Sequence, residues 1–82
     1  MADPKLVKQG EDRRKTILKY LVNYQAEHGF APTSREIAKA VGIAGPTAWG
    51  HVTALQDDGL IEIHRGVARG IKVTAKGRRA AR

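Results

Sequence analysis

The sequence of 82 residues contains no cysteine, which excludes a disulfide framework and any metal site built on thiolates. It has only four aromatic residues, one Phe, two Tyr and one Trp, too few to line a large apolar pocket. No stretch approaches the about 20 apolar residues of a membrane span, and none has the form of a secretory leader. These absences predict one small cytoplasmic domain that does not enter a membrane.

The residue types that carry catalysis are also scarce. The three histidines, His28, His51 and His64, are too dispersed, with too few carboxylates nearby, for the spacing of a zinc site. No nucleophile, base and orienting group can be assembled, and Gly66 and Gly70 flank a predicted hairpin loop instead of forming a phosphate-binding motif. We therefore expect no enzymatic activity, metal, cofactor or small-molecule substrate.

The formal net charge of +7 is confined to one end of the chain. Residues 1–64 contain eight basic and eight acidic side chains, whereas residues 65–82 contain seven basic ones and no acidic one. A segregated basic excess favours a polyanionic partner, because each phosphate that it neutralises releases a counterion. Double-stranded DNA is the predicted partner, and a merely solvated basic tail is the alternative on charge alone.

Apolar periodicity divides the chain into three parts. Residues 1–10 show none and are predicted to form a flexible arm. Residues 11–74 are predicted to form the folded domain, and residues 75–82 a loose basic tail. The first helix should end near His28, because Gly29 suits the left-handed position that follows a helix.

Two further helices are predicted from their end signals. Thr33-Ser34-Arg35-Glu36 is a capping box that begins the second helix, and Gly42 ends it. The third helix is predicted over residues 46–58, since Pro46 suits a first helical position and Gly59 follows the last.

The period then changes to that of strands. Residues 60–64 and 70–74 are predicted to be two short strands joined by a loop that contains glycine and arginine. Three helices followed by a two-stranded antiparallel hairpin define an α+β fold, the winged helix-turn-helix.

In this fold the third helix enters the major groove of DNA and the second helix braces it. Since Ala48, Val52 and Leu55 face inward, the opposite surface near the helix start is free for base contacts. Its predicted DNA-contacting residues are Thr47, Trp49, Gly50 and Thr53. Gly50 could instead be an unoptimised surface position, and Trp49 a lid over the edge of the core.

Contacts with the DNA backbone are predicted from two other places. The start of the second helix offers free N–H groups and hydroxyls, and cations follow on its outer face, although these cations could serve only solubility. These residues are Thr33, Ser34, Arg35 and Lys39. The hairpin supplies three further cations, namely Arg65, Arg69 and Lys72.

Segments 31–38, 41–42, 59–63 and 66–71 together resemble the N-terminal domain of LexA-type SOS repressors. The resemblance covers residues 17–73, and it includes an APT-x-x-EIA helix start and an RGI sequence at the exit from the hairpin loop.

The resemblance implies a three-helix winged fold in a bacterial or phage-encoded repressor of DNA-damage genes. It also implies a dimer on a palindromic operator, with the arginine-bearing loop at phosphates or the minor groove. The base contacts that it implies come from the early turns of the third helix, which here are Pro46, Thr47, Trp49 and Gly50.

Two departures from the family pattern limit what carries over. The turn before the third helix, residues 43–47, is one residue shorter, and Trp49 stands where a small or polar side chain is expected, so the operator sequence does not transfer. LexA repressors also have a peptidase domain with a Ser-Lys dyad, whereas Ser34 is the only serine here, and we expect no self-cleavage. A stand-alone repressor of a phage or mobile element is the favoured interpretation. One alternative is the isolated operator-binding portion of a longer self-cleaving repressor. The other is a module that uses the winged fold to pair with a host repressor or polymerase.

Overall fold

A computed structural model of the protein describes residues 4–82, and the side chains from residue 10 onward. The predicted order of three helices and an antiparallel hairpin is confirmed, and a short fourth helix follows it. The elements in chain order are α1 (Pro4–His28), α2 (Ser34–Val41), α3 (Gly45–Asp57), β1 (Ile61–Ile63), β2 (Ile71–Val73) and α4 (Ala75–Ala80).

The core lies between the three long helices and one face of the hairpin. α1 contributes Ile17 and Leu21, each at most 1% exposed, and α2 contributes Ile37. The predicted inward face of α3 is confirmed, because Ala48, Val52 and Leu55 are all buried. Burying a large aliphatic side chain stabilises a fold by about 1.5–3 kcal/mol, so this core holds the helices together and leaves the outer face of α3 free.

Local hydrogen bonds define both ends of α2. The predicted capping box is confirmed: the Thr33 hydroxyl accepts from the Glu36 N–H at 3.1 Å, and the Thr33 N–H donates to the Glu36 carboxylate at 3.0 Å. At the other end Gly42 takes a left-handed φ of 77° and its N–H donates to Ala38, as a helix-ending glycine does. α3 therefore starts only a few residues after α2 ends.

The chain leaves α3 through a second left-handed glycine. Gly59 has a φ of 75°, its N–H donates to Gln56 at 2.9 Å, and the Leu60 N–H donates to Leu55 at 3.0 Å. This pair of bonds is the Schellman motif. It directs the chain into β1, where Ile61 pairs opposite Val73 of β2 and both side chains join the core.

The predicted N-terminal arm differs from the structure. Residues 1–3 lie outside the described part of the chain, but α1 begins at Pro4 and passes through Gly10, so a helix start after residue 10 is wrong. Proline fits a first helical position, where its missing N–H costs nothing. One interior glycine costs a helix only about 1 kcal/mol relative to alanine, which a helix of 25 residues tolerates.

The predicted loose tail is also wrong, because residues 75–80 form α4. Thr74 caps this helix, and its hydroxyl accepts from the Gly77 N–H at 3.0 Å. The Lys76 ammonium donates to the Asp58 carbonyl at 2.9 Å, at the end of α3. Gly77 is buried so close to Leu60 that a Cβ at this position would overlap the Leu60 carbonyl oxygen. These non-local contacts fasten the tail to the domain, and its charge alone gave no sign of them.

Candidate nucleic-acid interface

The first two turns of α3 present a surface that has no charge. Pro46, Thr47 and Gly50 are exposed, and Asp57 at the far end is the only formally charged residue of the helix. The N-cap residue Ala44 makes no side-chain cap bond, so the N–H groups of Gly45 and Thr47 at the helix start have no acceptor from the cap side chain. This surface can accept a neutral, hydrogen-bonding partner such as the edge of a base pair.

Gly50 and Thr53 occupy adjacent turns of that surface. A Cβ built on Gly50 would meet nothing within 4 Å, so the fold itself does not require glycine there. The Thr53 hydroxyl donates to the Gly50 carbonyl at 2.9 Å, a common bond for threonine inside a helix. Thr53 therefore offers a partner only an acceptor and a methyl group.

An open groove of about 460 Å³ lies beside α3. The start of α2 forms one wall and the hairpin loop forms the other, with Trp49 of α3 between them. Trp49 is 39% exposed and lines the groove. The predicted site residues that line this groove are Thr33, Ser34, Trp49, Arg65 and Arg69.

The other predicted site residues lie outside the groove. Pro46, Thr47, Gly50 and Thr53 belong to the outer face of α3, while Arg35 and Lys39 are exposed on α2. Lys72 is exposed on β2, where it pairs in register with Glu62 of β1. Opposite charges at paired strand positions attract, but the Glu62 carboxylate lies beside His64, at 3.4 Å.

The Arg69 side chain is 36% exposed, but its guanidinium contacts several groups of the protein. Its Nη1 donates to the Glu36 carboxylate at 2.7 Å and to the Ala31 carbonyl at 3.0 Å. It also lies 3.4 Å from the Tyr24 hydroxyl, and the guanidinium stacks 4.6 Å from the centroid of Phe30. The sequence predicted a DNA contact for Arg69, whereas the structure places its charge next to a carboxylate.

Glu36 is the centre of this network. Its carboxylate accepts from the Thr33 N–H, from the Tyr24 hydroxyl at 2.9 Å and from Arg69. These contacts lower the pKa of Glu36 from 4.5 to about 2, and the Thr33 backbone bond contributes most, followed by the Tyr24 bond. Sequence reasoning found only the capping role, since no local pattern links Glu36 to an arginine 33 residues further along the chain.

The lowered pKa of Glu36 predicts how the stability of the protein depends on pH. The folded state holds this carboxylate charged, so the stabilisation is complete above about pH 4.5 and is lost as the pH falls through about 2. We expect the difference in the free energy of unfolding between the wild type and Glu36→Gln to close over that interval. Urea unfolding at a series of pH values measures it, and a constant difference down to pH 2 would show that the carboxylate is not held in its charged form.

The three histidines lie apart from one another. The His28 ring lies 4.2 Å from that of Tyr24, and His64 lies 3.4 Å from Glu62. His51 is half-buried, and desolvation followed by the charges of Arg14 and Arg13 lowers its pKa. Across residues 4–82, no group of three or more His, Asp or Glu side chains is placed to hold a metal ion. Over the same range, no helix combines the length and apolarity needed to cross a bilayer.

The fold is that of a winged helix-turn-helix domain. A tight turn joins α2 to α3, the core leaves the outer face of α3 exposed, and an antiparallel hairpin follows α3. Residues 8–70 match the family model described as the LexA DNA binding domain. The match covers most of the chain, so this protein belongs to the LexA DNA-binding domain family, and the predicted resemblance is confirmed.

Individual relatives agree with the family assignment. The chain is 41% identical over 64 residues to a LexA repressor of Halorhodospira halophila, and 36% identical over 70 residues to one of Ligilactobacillus salivarius. These matches cover 77% and 84% of this chain, but only 28% and 34% of the repressors. A solved structure of a mutant of S. aureus MepR superposes with a TM-score of 0.70 at 25% identity, covering 94% of this chain and 58% of that one.

Proposed function

We propose that this protein binds duplex DNA sequence-specifically and represses transcription, with α3 in the major groove and the hairpin on the flanking backbone. The observation that carries the proposal is the uncharged, exposed start of α3 beside a groove with an arginine on its rim. Such a surface suits DNA recognition, in which hydrogen-bonding and apolar groups on one element read base edges while neighbouring cations and N–H groups hold phosphates. Membership in the LexA DNA-binding domain family supports the same role.

Each part of the interface has a role in this proposal. Thr47 and the surface around Gly50 face the base edges, where a hydroxyl or methyl can distinguish base pairs. The groove beside α3 receives one sugar-phosphate strand, with Arg65 on one wall and Ser34 on the other. The first N–H groups of α2 and the exposed Arg35 contact a phosphate from the same side.

We further propose that two copies bind one palindromic operator. A single α3 offers few base-reading side chains, and proteins of this type gain specificity when a second copy occupies a half-site about 10 base pairs away. Binding-site selection on random duplexes tests this directly, because it reports the half-site, the spacing and the symmetry together. Recovery of a single unrepeated half-site would show that one copy binds alone.

Thr47 and Arg65 should differ in what they contribute. We expect Thr47→Ala to alter the preferred base at one position by about fivefold, because the hydroxyl and methyl face the bases. Arg65→Ala should weaken binding to all duplexes alike and lower the slope of log affinity against log salt by about 1. Gel-shift titrations over several salt concentrations measure both effects. The reverse assignment of effects would show that the roles of α3 and the loop are exchanged.

Two exposed apolar side chains favour a second candidate function, docking with a protein. Trp49 is 39% exposed and Val67, in the hairpin loop, is 62% exposed, and both line the groove. A protein partner seated there would bury both side chains, as interface centres do. Equal, weak binding to every duplex in the titration would favour this candidate over a sequence-specific reader.

A further inference from the structure

The hairpin loop is fastened to the junction between α1 and α2 by one side chain. Arg69 joins Glu36 of α2, the Ala31 carbonyl between the two helices and Tyr24 of α1. Each of these partners lies between 33 and 45 residues before Arg69 in the chain. We call Arg69, Glu36, Tyr24, Phe30 and the Ala31 carbonyl the Arg69 clasp.

The backbone conformation of Arg69 is unusual and directs its side chain toward Glu36. Arg69 is the only non-glycine residue with a positive φ among residues 4–82, at 55°. A left-handed conformation is unfavourable for an L-residue with a long side chain. The contacts of the guanidinium offset this cost, since an arginine that reached outward to solvent would have no such compensation.

The partners of Arg69 are themselves fixed in place. Glu36 is the third residue of α2 and is held by the capping bond from the Thr33 N–H. Phe30 packs edge-on against Tyr24, with ring centroids 5.9 Å apart, and it receives the guanidinium on its face. A rigid anchor of this kind transmits its position to the loop that it holds.

The clasp connects the two walls of the groove and so sets its width. The start of α2 and the hairpin loop form the two walls, and Arg69 bonds from the loop to Glu36 of α2. Arg65 lies four residues earlier in the same short loop, so its position relative to α3 follows from the same attachment. Loss of the clasp would let one wall move away from the other.

We propose that Arg69 is a positioning residue, which holds the hairpin loop at the distance from α3 at which both elements contact one duplex. In this role Arg69 acts through its contact with Glu36 at 2.7 Å and not through a phosphate, although its side chain stays 36% exposed. The inference rests on the proposed DNA binding.

Lysine at position 69 separates positioning from phosphate contact. It keeps the charge but lacks the fork and the planar face of arginine, so a phosphate contact would be largely preserved and the clasp lost. We expect Arg69→Lys to lower affinity about tenfold for every duplex with unchanged base preference, and to lower the salt slope by about 1 because Arg65 moves with the loop. Near wild-type affinity in this variant would overturn the proposal.

Glu36→Gln is a second test, because simple electrostatics and the clasp predict opposite changes in DNA affinity for this variant. Glutamine also completes a capping box, so α2 keeps its start while the charged partner of Arg69 is removed. Removing a negative charge should by itself strengthen DNA binding, whereas loss of the clasp should weaken it. We expect weaker binding, and no further loss when Glu36→Gln is combined with Arg69→Lys. The control is Glu62→Gln, which removes the same charge from the outer face of the hairpin and should not weaken binding.

The free protein gives an independent readout. Trp49 is the single tryptophan and lines the same groove as the loop, so loosening the loop should shift its fluorescence to the red while helix content stays that of the wild type. Binding is measured below the unfolding transition of each variant. An unshifted spectrum for Arg69→Lys, or stronger binding by Glu36→Gln, would overturn the clasp. If the wild type binds no duplex, the proposed function fails, and the fluorescence shift still decides whether the clasp holds the loop.

Discussion

We expect Gly70→Ala to lower DNA affinity about 10- to 100-fold without unfolding the helices. A Cβ at position 70 would overlap the His64 carbonyl oxygen and lie 2.9 Å from the Val67 carbonyl oxygen. Both are backbone atoms that cannot rotate away, so the loop must open, and overpacking of this kind costs about 1–3 kcal/mol. The helices should stay folded because most of the buried core residues come from α1, α2 and α3, although Ile71, next to Gly70, belongs to the same core.

The measurement is a salt titration of binding to the selected duplex, combined with circular dichroism. An opened loop carries Arg65 away from the backbone, so the salt slope should also fall by about 1. Gly10→Ala is the matched control, because position 10 lies in α1 with open space around it and should leave affinity unchanged. Wild-type affinity in Gly70→Ala would show that DNA binding does not depend on the shape of the loop.

Features of the fold that depend on neighbouring residues were predicted well from the sequence. The capping box at Thr33 and Glu36 and the helix ends at Gly29, Gly42 and Gly59 all occur as expected, and all three glycines are left-handed. Each of these signals is local, since a cap or a helix-ending glycine acts over three or four residues. The inward face of α3 followed equally well from its 3.6-residue period.

Features that depend on distant contacts were missed. α4 forms because Thr74, Lys76 and Gly77 contact the end of α3 and the turn that follows it. No apolar periodicity within residues 75–82 predicts these contacts. An arginine in a hairpin loop is a typical DNA-contacting residue, and only the folded chain shows that Glu36 and Tyr24 lie beside Arg69. The sequence correctly located the basic residues, but it could not show which of their charges are already balanced.

We expect Gly50→Ala to stabilise the protein and at the same time to weaken its binding to DNA. Position 50 lies inside α3 with nothing within 4 Å of a built Cβ, so alanine should raise the free energy of unfolding by about 1 kcal/mol. The same methyl group would project from the exposed face of α3, where the proposal places a base pair against the helix. We expect affinity for the selected duplex to fall about tenfold, a stability gain and a function loss from one substitution.

Urea unfolding and gel-shift titration on the same protein sample measure the two effects. Gly10→Ala again serves as the control, because it makes the same replacement in a helix with equally open surroundings but on α1. It should show a similar gain in stability and unchanged affinity. If Gly50→Ala is more stable and binds as well as the wild type, the DNA does not approach closely at this turn. Base reading must then lie nearer Thr47, because Gly50 would be only an unoptimised surface position.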